Sequence, residues 1–302
     1  MDRLASMGVF VKAADLGSFT AAAAALGMSS QMVGKHVSFL EARLGAQLLR
    51  RTTRQQSLTD VGHSFYGRCR TILAETEAAE ALVNDLSTTP RGRLRVNAPV
   101  TFGACRLAPL VTRYLQAHPD VEVELTLSDR YVDVVDEGYD AVIRVGPLKD
   151  TALAMRELAT YPLVACASPA YLAASGAPDA PEELANHCCL TFVNWSGLPY
   201  AEWRFTKAGR VHAVQVRSRL QINDGRALLA AALDGHGIIL QPEVVVRDDL
   251  DTGRLVRVMP AYAAPSYSMH LLFSARRSQT PKLRSFIDCV VDAFGRANQS
   301  ES

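Results

Sequence analysis

The chain has 302 residues, 48% of them hydrophobic, and a formal net charge of +1. That is enough apolar material for two or three globular units. No stretch reaches the roughly 18 apolar residues of a membrane span, and Met1-Asp2 opens no apolar leader, so a cytoplasmic chain without membrane contact is expected. The small net charge hides an uneven distribution. Residues 1–60 carry seven Lys/Arg against four Asp/Glu, residues 61–90 two against four, and residues 91–302 are balanced at 23 each. The modest positive excess sits in the N-terminal segment, where it can neutralise phosphate. Six cysteines are scattered without a C-x-x-C pair. His187-Cys188-Cys189 lacks a fourth ligand, so neither a metal nor a cofactor is expected, and the thiols read as small apolar residues.

In chain order, Leu4, Met7, Val11 and Ala14 recur at helical spacing and Gly17 stops the pattern. Ser18 can cap a second helix, Phe19 to Leu26, almost all alanine, against which a neighbour can pack closely. Gly27 supplies a turn, and Ser29 can cap a third helix running to about Leu44. That helix is two-faced. Val33, Val37, Leu40 and Leu44 form one side; Ser30, Gln31, Gly34, Lys35 and Ser38 form the other, with His36 at its margin. A solvated surface helix looks the same. The alanine-rich helix one turn upstream and the basic ribbon Arg50, Arg51, Arg54 downstream favour a helix-turn-helix with a wing, in which the third helix enters a major groove.

These residues resemble the N-terminal region of the LysR-type transcriptional regulators. The matching strings are F-V-K-A-A-D-L-G-S-F-T-A-A-A-A-A-L-G, L-E-A-R-L-G-A-Q-L-L-R-R-T-T-R and S-L-T-D-V-G, in that order. By position, the resemblance implies groove candidates Ser29, Ser30, Gln31, Met32, Gly34, Lys35 and His36, with Ser18 and Thr20 on the preceding helix. Arg50, Arg51, Thr53 and Arg54 are the wing candidates. Serine is common in the family where this chain has Gly34, and proline or serine where it has Gln31.

From Thr59, a possible cap, a helical pattern runs to about Ser87. Phe65, Cys69, Ile72, Thr76, Ala79, Val83 and Leu86 alternate spacings of four and three, as in a pairing seam. About 28 residues at 1.5 Å rise span about 42 Å. The residues alone fit an ordinary amphipathic helix as well. The family uses this helix to dimerise, which would present two recognition helices to two half-sites.

Ser87 to Gly92 breaks the helix, and strand alternation follows at Leu94, Val96 and Ala98. A helix from about Cys105 to His118, a strand from Val121 to Leu127 and the buried run Ala141, Val142, Ile143 give a βαβ order with a parallel sheet. R-G-R-L-R-V-N-A-P-V, D-V-V-D-E-G-Y-D-A-V-I-R-V-G, C-A-S-P-A-Y-L and G-H-G-I-I-L-Q-P are again similar to the LysR-type family. The resemblance implies a two-lobed α/β effector domain like a periplasmic binding protein, crossed near Val164–Ser168 and Ala261–Tyr267. The expected whole is an α+β multidomain chain: a winged helix-turn-helix (1–58), a dimerisation linker helix (59–88), a hinge (89–92) and an effector domain (93–302). Lobe I takes about 93–163 and 268–302, and lobe II about 164–267.

Ligand candidates lie at strand ends facing the cleft. Pro99, Val100, Thr101 and Phe102 enter a helix whose N–H groups can hold a carboxylate. Arg144 can pair with an anion or with Asp140, and Gly146 follows it. Ser128, Phe192, Trp195, Asn223, Asp224, Gly237 and Ile238 complete the set, for an unidentified small effector with an anionic one in mind. The implied partners are double-stranded promoter DNA, the effector, a second copy as homodimer or homotetramer, and RNA polymerase. An enzyme is not expected: there is no G-x-S-x-G, Ser29 replaces the first glycine of a P-loop, and Leu240 the third glycine of a dinucleotide fingerprint. A transport solute-binding protein would need an export signal and no DNA-binding helix.

Overall fold

The computed structural model describes residues 1–51, 56–83, 89–132, 134, 137–148, 153–194, 197–275 and 280–295. Thr53 and Arg54 of the ribbon, Leu86 with the 84–88 end of the linker, and Trp195 lie outside the described residues.

Three helices open the chain: α1 (Arg3–Leu16), α2 (Phe19–Leu26) and α3 (Ser30–Leu44). Asp2, Ser18 and Ser29 cap them by accepting N–H groups of Ala5, Ala21 and Met32. Gly17, Gly27 and Gly45 end them in the left-handed region, which side chains resist. The alanine composition of α2 does what the sequence implied: Ala22 and Ala23 are buried against Val9, Ala13 and Val33. An antiparallel ribbon follows, β1 (Leu49–Arg51) with β2 (Gln56–Leu58). Glu41 on α3 fixes its entry, its carboxylate accepting the N–H groups of Leu48 at 2.9 Å and Leu49 at 3.3 Å.

The long helix α4 (Asp60–Val83) is capped by Thr59, which accepts the Gly62 N–H at 2.9 Å. A side chain at 62 would stand 2.0 Å from the Leu48 carbonyl oxygen, so only glycine lets α4 meet the ribbon this closely. The first positions of the supposed pairing seam turn out to belong to the domain's own core. Cys69 is fully buried with Met7, Phe10, Val37, Leu40 and Leu48, and Phe65 packs on that cluster, its ring 5.7 Å from Phe10. Burial pushes the Cys69 thiol up to about 12, so it is an inert apolar group. Ile72, at 39%, is the first exposed seam position. Thr76 returns its hydroxyl to the Ile72 carbonyl at 2.9 Å.

Beyond the linker, β3 (Gly92–Ala98) leads into one continuous helical run: α5 (Val100–Phe102), a π-helical turn (Gly103–Leu107) and α6 (Ala108–Ala117). The helix thus starts at Val100, five residues before Cys105, because Pro99 supplies its N-cap and Gly103 allows close contact with Leu127. Next come β4 (Val121–Leu127), β5 (Ala141–Val145), β6 (Ala154–Ala167), α7 (Pro169–Ser175) and β7 (Cys189–Phe192). A separate hairpin, β8 (Glu202–Lys207) with β9 (Arg210–Gln215), precedes β10 (Gln221–Ile222), α8 (Gly225–Leu233), β11 (Ile238–Pro242) and α9 (Glu243–Asp251). Short β12 (Val256–Arg257), the returning β13 (Ser266–Phe273) and α10 (Pro281–Phe294) end the described chain.

The sheet runs β10-β7-β11-β6-β13-β5-β3-β4. Pairings of β3 with β4 and β5 are parallel, as the βαβ order implied, while β13 is antiparallel to both neighbours. The long β6 passes between two halves. It pairs with β13 as far as Pro162 and with β11 from Leu163. The switch therefore falls one residue ahead of the Val164–Ser168 stretch; the return, at Pro265–Ser266, falls inside Ala261–Tyr267. One core lies under β3, β5 and β13 with α6 and α10, and two more lie on either face of β6, β7 and β11.

A charged cluster joins the N-terminal unit to the sheet. The Glu124 carboxylate accepts from Arg70 of α4 at 2.9 Å, Arg93 at 2.9 Å and Arg95 at 3.1 Å. Arg93 also pairs with Asp15 of α1 at 3.5 Å, and Tyr66 hydrogen-bonds Asp15. Burial alone would raise the Glu124 carboxyl, but the hydrogen bond and charge of Arg95, then of Arg70, hold it below the usual range. A depressed carboxyl contributes stability above its unfolded value and loses it as pH falls through the folded value. Glu124→Gln should lower the thermal midpoint at neutral pH, with the gap to wild type closing as pH drops through the carboxylate range; calorimetry over a pH series measures this. Gly34→Ala should do the opposite. Its Cβ would meet only the Phe19 ring at 3.7 Å, an ordinary contact. A mid-helix alanine should then add about 0.5–1 kcal/mol, read as a raised unfolding midpoint.

Candidate functional site

Two regions collect the candidate residues. The first is the outer face of α3 and its surroundings. Thr20, Ser30, Gln31, Met32 and Lys35 are exposed there, and Gly34 is half-buried between them and Phe19. Ser18 and Ser29 stand at the starts of α2 and α3 with their oxygens committed to capping. His36 is tied inward, its Nδ1 2.9 Å from Ser6 Oγ. Because Ser6 gives its proton to the Asp2 carbonyl at 2.6 Å, His36 Nδ1–H is the donor, leaving Nε2 for an outside partner. On the ribbon, Arg50 is exposed; of Arg51 only the backbone is described. Sequence reading did not pick Glu41, which holds the ribbon beside α3 through two main-chain N–H groups.

The second region is the gap between the two halves of the sheet. A cavity of about 370 Å³ is lined there by Pro99, Thr101, Gly146, Phe192 and, from the crossing strands, Tyr161, Leu163 and Tyr267. Asp129, Asn194, Tyr200, Leu240 and Gln241 complete much of the wall. An adjoining hollow is lined by Val100, Ser128, Asp129, Arg130, Asn194 and Asn223. Tyr200 and Tyr267 share a hydroxyl–hydroxyl hydrogen bond of 2.9 Å. Burial, and the Tyr267 partner, raise the Tyr200 phenol far above its ordinary value, so it stays neutral.

Several expected ligand residues do other work. Arg144 is 8% exposed and faces away from the cavity, because Val145 lines it and neighbours on a strand point to opposite sides. Its Nη1 donates to Asn97 Oδ1 at 2.9 Å, while Asp140 accepts the Arg95 N–H instead. Phe102 is core, stacked edge-on against Tyr161 and Phe294. The Val100 N–H, expected to hold a carboxylate ligand, already donates to Asp129 Oδ1 at 3.1 Å. Asp224 is spent capping α8 through the N–H groups of Arg226 and Ala227. Ile238 is fully buried, and Gly237 is where β11 passes so near the Cys188 carbonyl that a Cβ would stand 2.3 Å from its oxygen. Tyr161, Tyr267 and Asp129 were missed although the crossing strands and the β4 end are where the strand-end rule points. Among the described residues no group of three His, Cys, Asp or Glu could hold a metal ion, and no helix is long and apolar enough to cross a membrane.

Comparison with known proteins matches both regions. Residues 4–63 fit the model of bacterial regulatory helix-turn-helix proteins of the lysR family, and residues 87–295 that of the LysR substrate binding domain. The chain is 33% identical over 287 residues to the HTH-type transcriptional regulator YhjC of Escherichia coli, covering 95% of this chain and 96% of that one. It is 34% identical over 292 residues to the HTH-type transcriptional regulator PtxR of Pseudomonas aeruginosa, covering 95% and 91%. The full-length Vibrio cholerae virulence activator AphB superposes with a TM-score of 0.64 at 27% identity, covering 97% of this chain and 99% of that one. The chain belongs to the LysR-type transcriptional regulators, with a helix-turn-helix for DNA and a substrate-binding domain for an effector.

Proposed function

We propose that this chain binds double-stranded promoter DNA through α3 and the β1–β2 ribbon, and that a small molecule in the interlobe cavity alters that binding. The observation that carries the DNA reading is the exposed face Ser30, Gln31, Met32 and Lys35 set beside exposed Arg50, with Glu41 locking helix to ribbon. Hydroxyls, an amide and a cation suit base edges and phosphates. Pairing of two copies along α4 from Ile72 onward would place two such faces on half-sites about one DNA turn apart. Higher assembly, contact with RNA polymerase and action in the cytoplasm complete the reading, which includes no catalytic step. The domain limits assigned to it are 1–58, 59–88, 89–92 and 93–302.

The Glu124 cluster supports a route between ligand and DNA. It ties β3 and β4 of the ligand-binding half to α4 and α1. Movement of one lobe on the other would be felt at α4 through that cluster, provided the ligand favours one lobe arrangement.

Lys35→Ala tests the interface. Its side chain is exposed, so folding should be unchanged. Fluorescence anisotropy over a salt series should give weaker binding to all duplexes alike and a salt slope lower by about one. Unchanged affinity and slope would remove Lys35, and with it this face of α3, from the interface.

A further inference from the structure

Resting on the reading of the interlobe cavity as the effector site, the chemistry of its walls points to a class of ligand. Among the described residues the cavity walls contain neither lysine nor arginine nor histidine; their single charged side chain is Asp129. The carboxylate lines the adjoining hollow too. There Arg130 is 60% exposed at its side chain and pairs with Glu137 at 2.6 Å. Arg144, the cation expected to greet an anion, does not line the cavity; it donates to Asn97 Oδ1, and only its charge reaches Asp129. The main-chain donor at the start of α5 is likewise spent, since Val100 N–H donates to Asp129. Asp129 thus occupies the place a carboxylate ligand would take, and a second negative group there would meet repulsion with no cation in the wall to offset it.

What remains suits the opposite charge. Among the described residues no ion pair claims Asp129. Phe192, Tyr161, Tyr200 and Tyr267 put four aromatic rings into the wall, and aromatic faces attract cations. Thr101 and Gln241 offer oxygens to N–H donors. Leu163, Leu240, Pro99 and Pro242 give an apolar body somewhere to lie. Burial, and to a lesser extent Asp224, push the Asp129 carboxyl up, and the Val100 N–H and the charge of Arg144 only partly offset the rise. A cavity of about 370 Å³ lies in the range that holds a ring or short chain. We infer that the effector is a small organic cation, an ammonium on an aromatic or short aliphatic body, with its charge on Asp129 and its body against Phe192 and Leu240.

The test uses the full chain and two isosteric pairs: benzylammonium with benzoate, and butylammonium with butyrate. Each is titrated by calorimetry against wild type, Asp129→Asn and Phe192→Ala. Asparagine keeps an oxygen for the Val100 N–H, so the loop should hold. The expected result is that the ammonium members bind, the carboxylates do not, and Asp129→Asn weakens ammonium binding by roughly tenfold or more. Ammonium binding indifferent to Asp129→Asn, or no ammonium binding at all, overturns the assignment of charge. Carboxylate binding that Phe192→Ala abolishes also overturns it, yet leaves the cavity as the effector site. Binding of any probe that neither substitution alters removes the cavity itself.

Discussion

Everything in the ligand-binding half depends on one strand being shared. β6 runs for 14 residues and spends its two ends in different company, β13 first and β11 afterwards. A strand cannot leave one sheet for another without main-chain partners waiting on both sides, since buried N–H and C=O groups must be paired. The switch at Pro162 and Leu163, with β13 returning alongside, therefore fixes where the two halves part and where a gap must open. The gap inherits its walls from that point: Tyr161, Leu163 and Tyr267 are the crossing residues themselves.

The N-terminal unit rests on a different economy. Its α2 is short, and five of its eight side chains are no more than a methyl group. What compensates is closeness. Alanines on α2 and glycine at 62 bring main chain against main chain, and Phe10 fills the middle against Phe65 and Tyr66. The linker helix is consequently not a free rod attached to a head. Phe65 and Cys69, in its first half, pack in the domain's core, and so the direction in which α4 leaves is set by the same packing that positions α3. Any partner laid along the rest of α4 inherits that geometry.

Much of this was legible in the residues. Ser18, Ser29 and Thr59 announced their caps, and Gly17, Gly27 and Gly45 their stops, because capping and left-handed φ are local chemistry. The third helix's two faces were legible for the same reason. The cavity was legible only in part. Pro99, Thr101, Gly146 and Phe192 were found from strand ends, but the orientation of Arg144 was hidden. Alternation normally tells which way a strand residue points; Ala141, Val142 and Ile143 are all buried, so both faces of β5 read alike. Phe65 and Cys69 posed the converse problem: a spacing of threes and fours is the same whether the partner is another copy or α1 of the same chain. Asp129 escaped because the Val100 N–H was treated as vacant, and only three-dimensional placement reveals a donor already used.

The π-helical turn from Gly103 to Leu107 carries a consequence for how this helix can vary. A turn closed by i→i+5 bonds holds one residue more than the α-helical turn it replaces. The chain thus stores a spare residue between α5, which lines the cavity through Thr101, and α6, which packs on the core through Leu110, Val111 and Tyr114. The slack lets each end keep its own angular phase. Loss of one residue here would convert the turn to plain α-helix and rotate the cavity-facing end by about 100° relative to the core-facing one. Length in this short stretch is therefore under tighter constraint than the identity of its exposed side chains, and a deletion would alter which groups face the cavity without touching any of them.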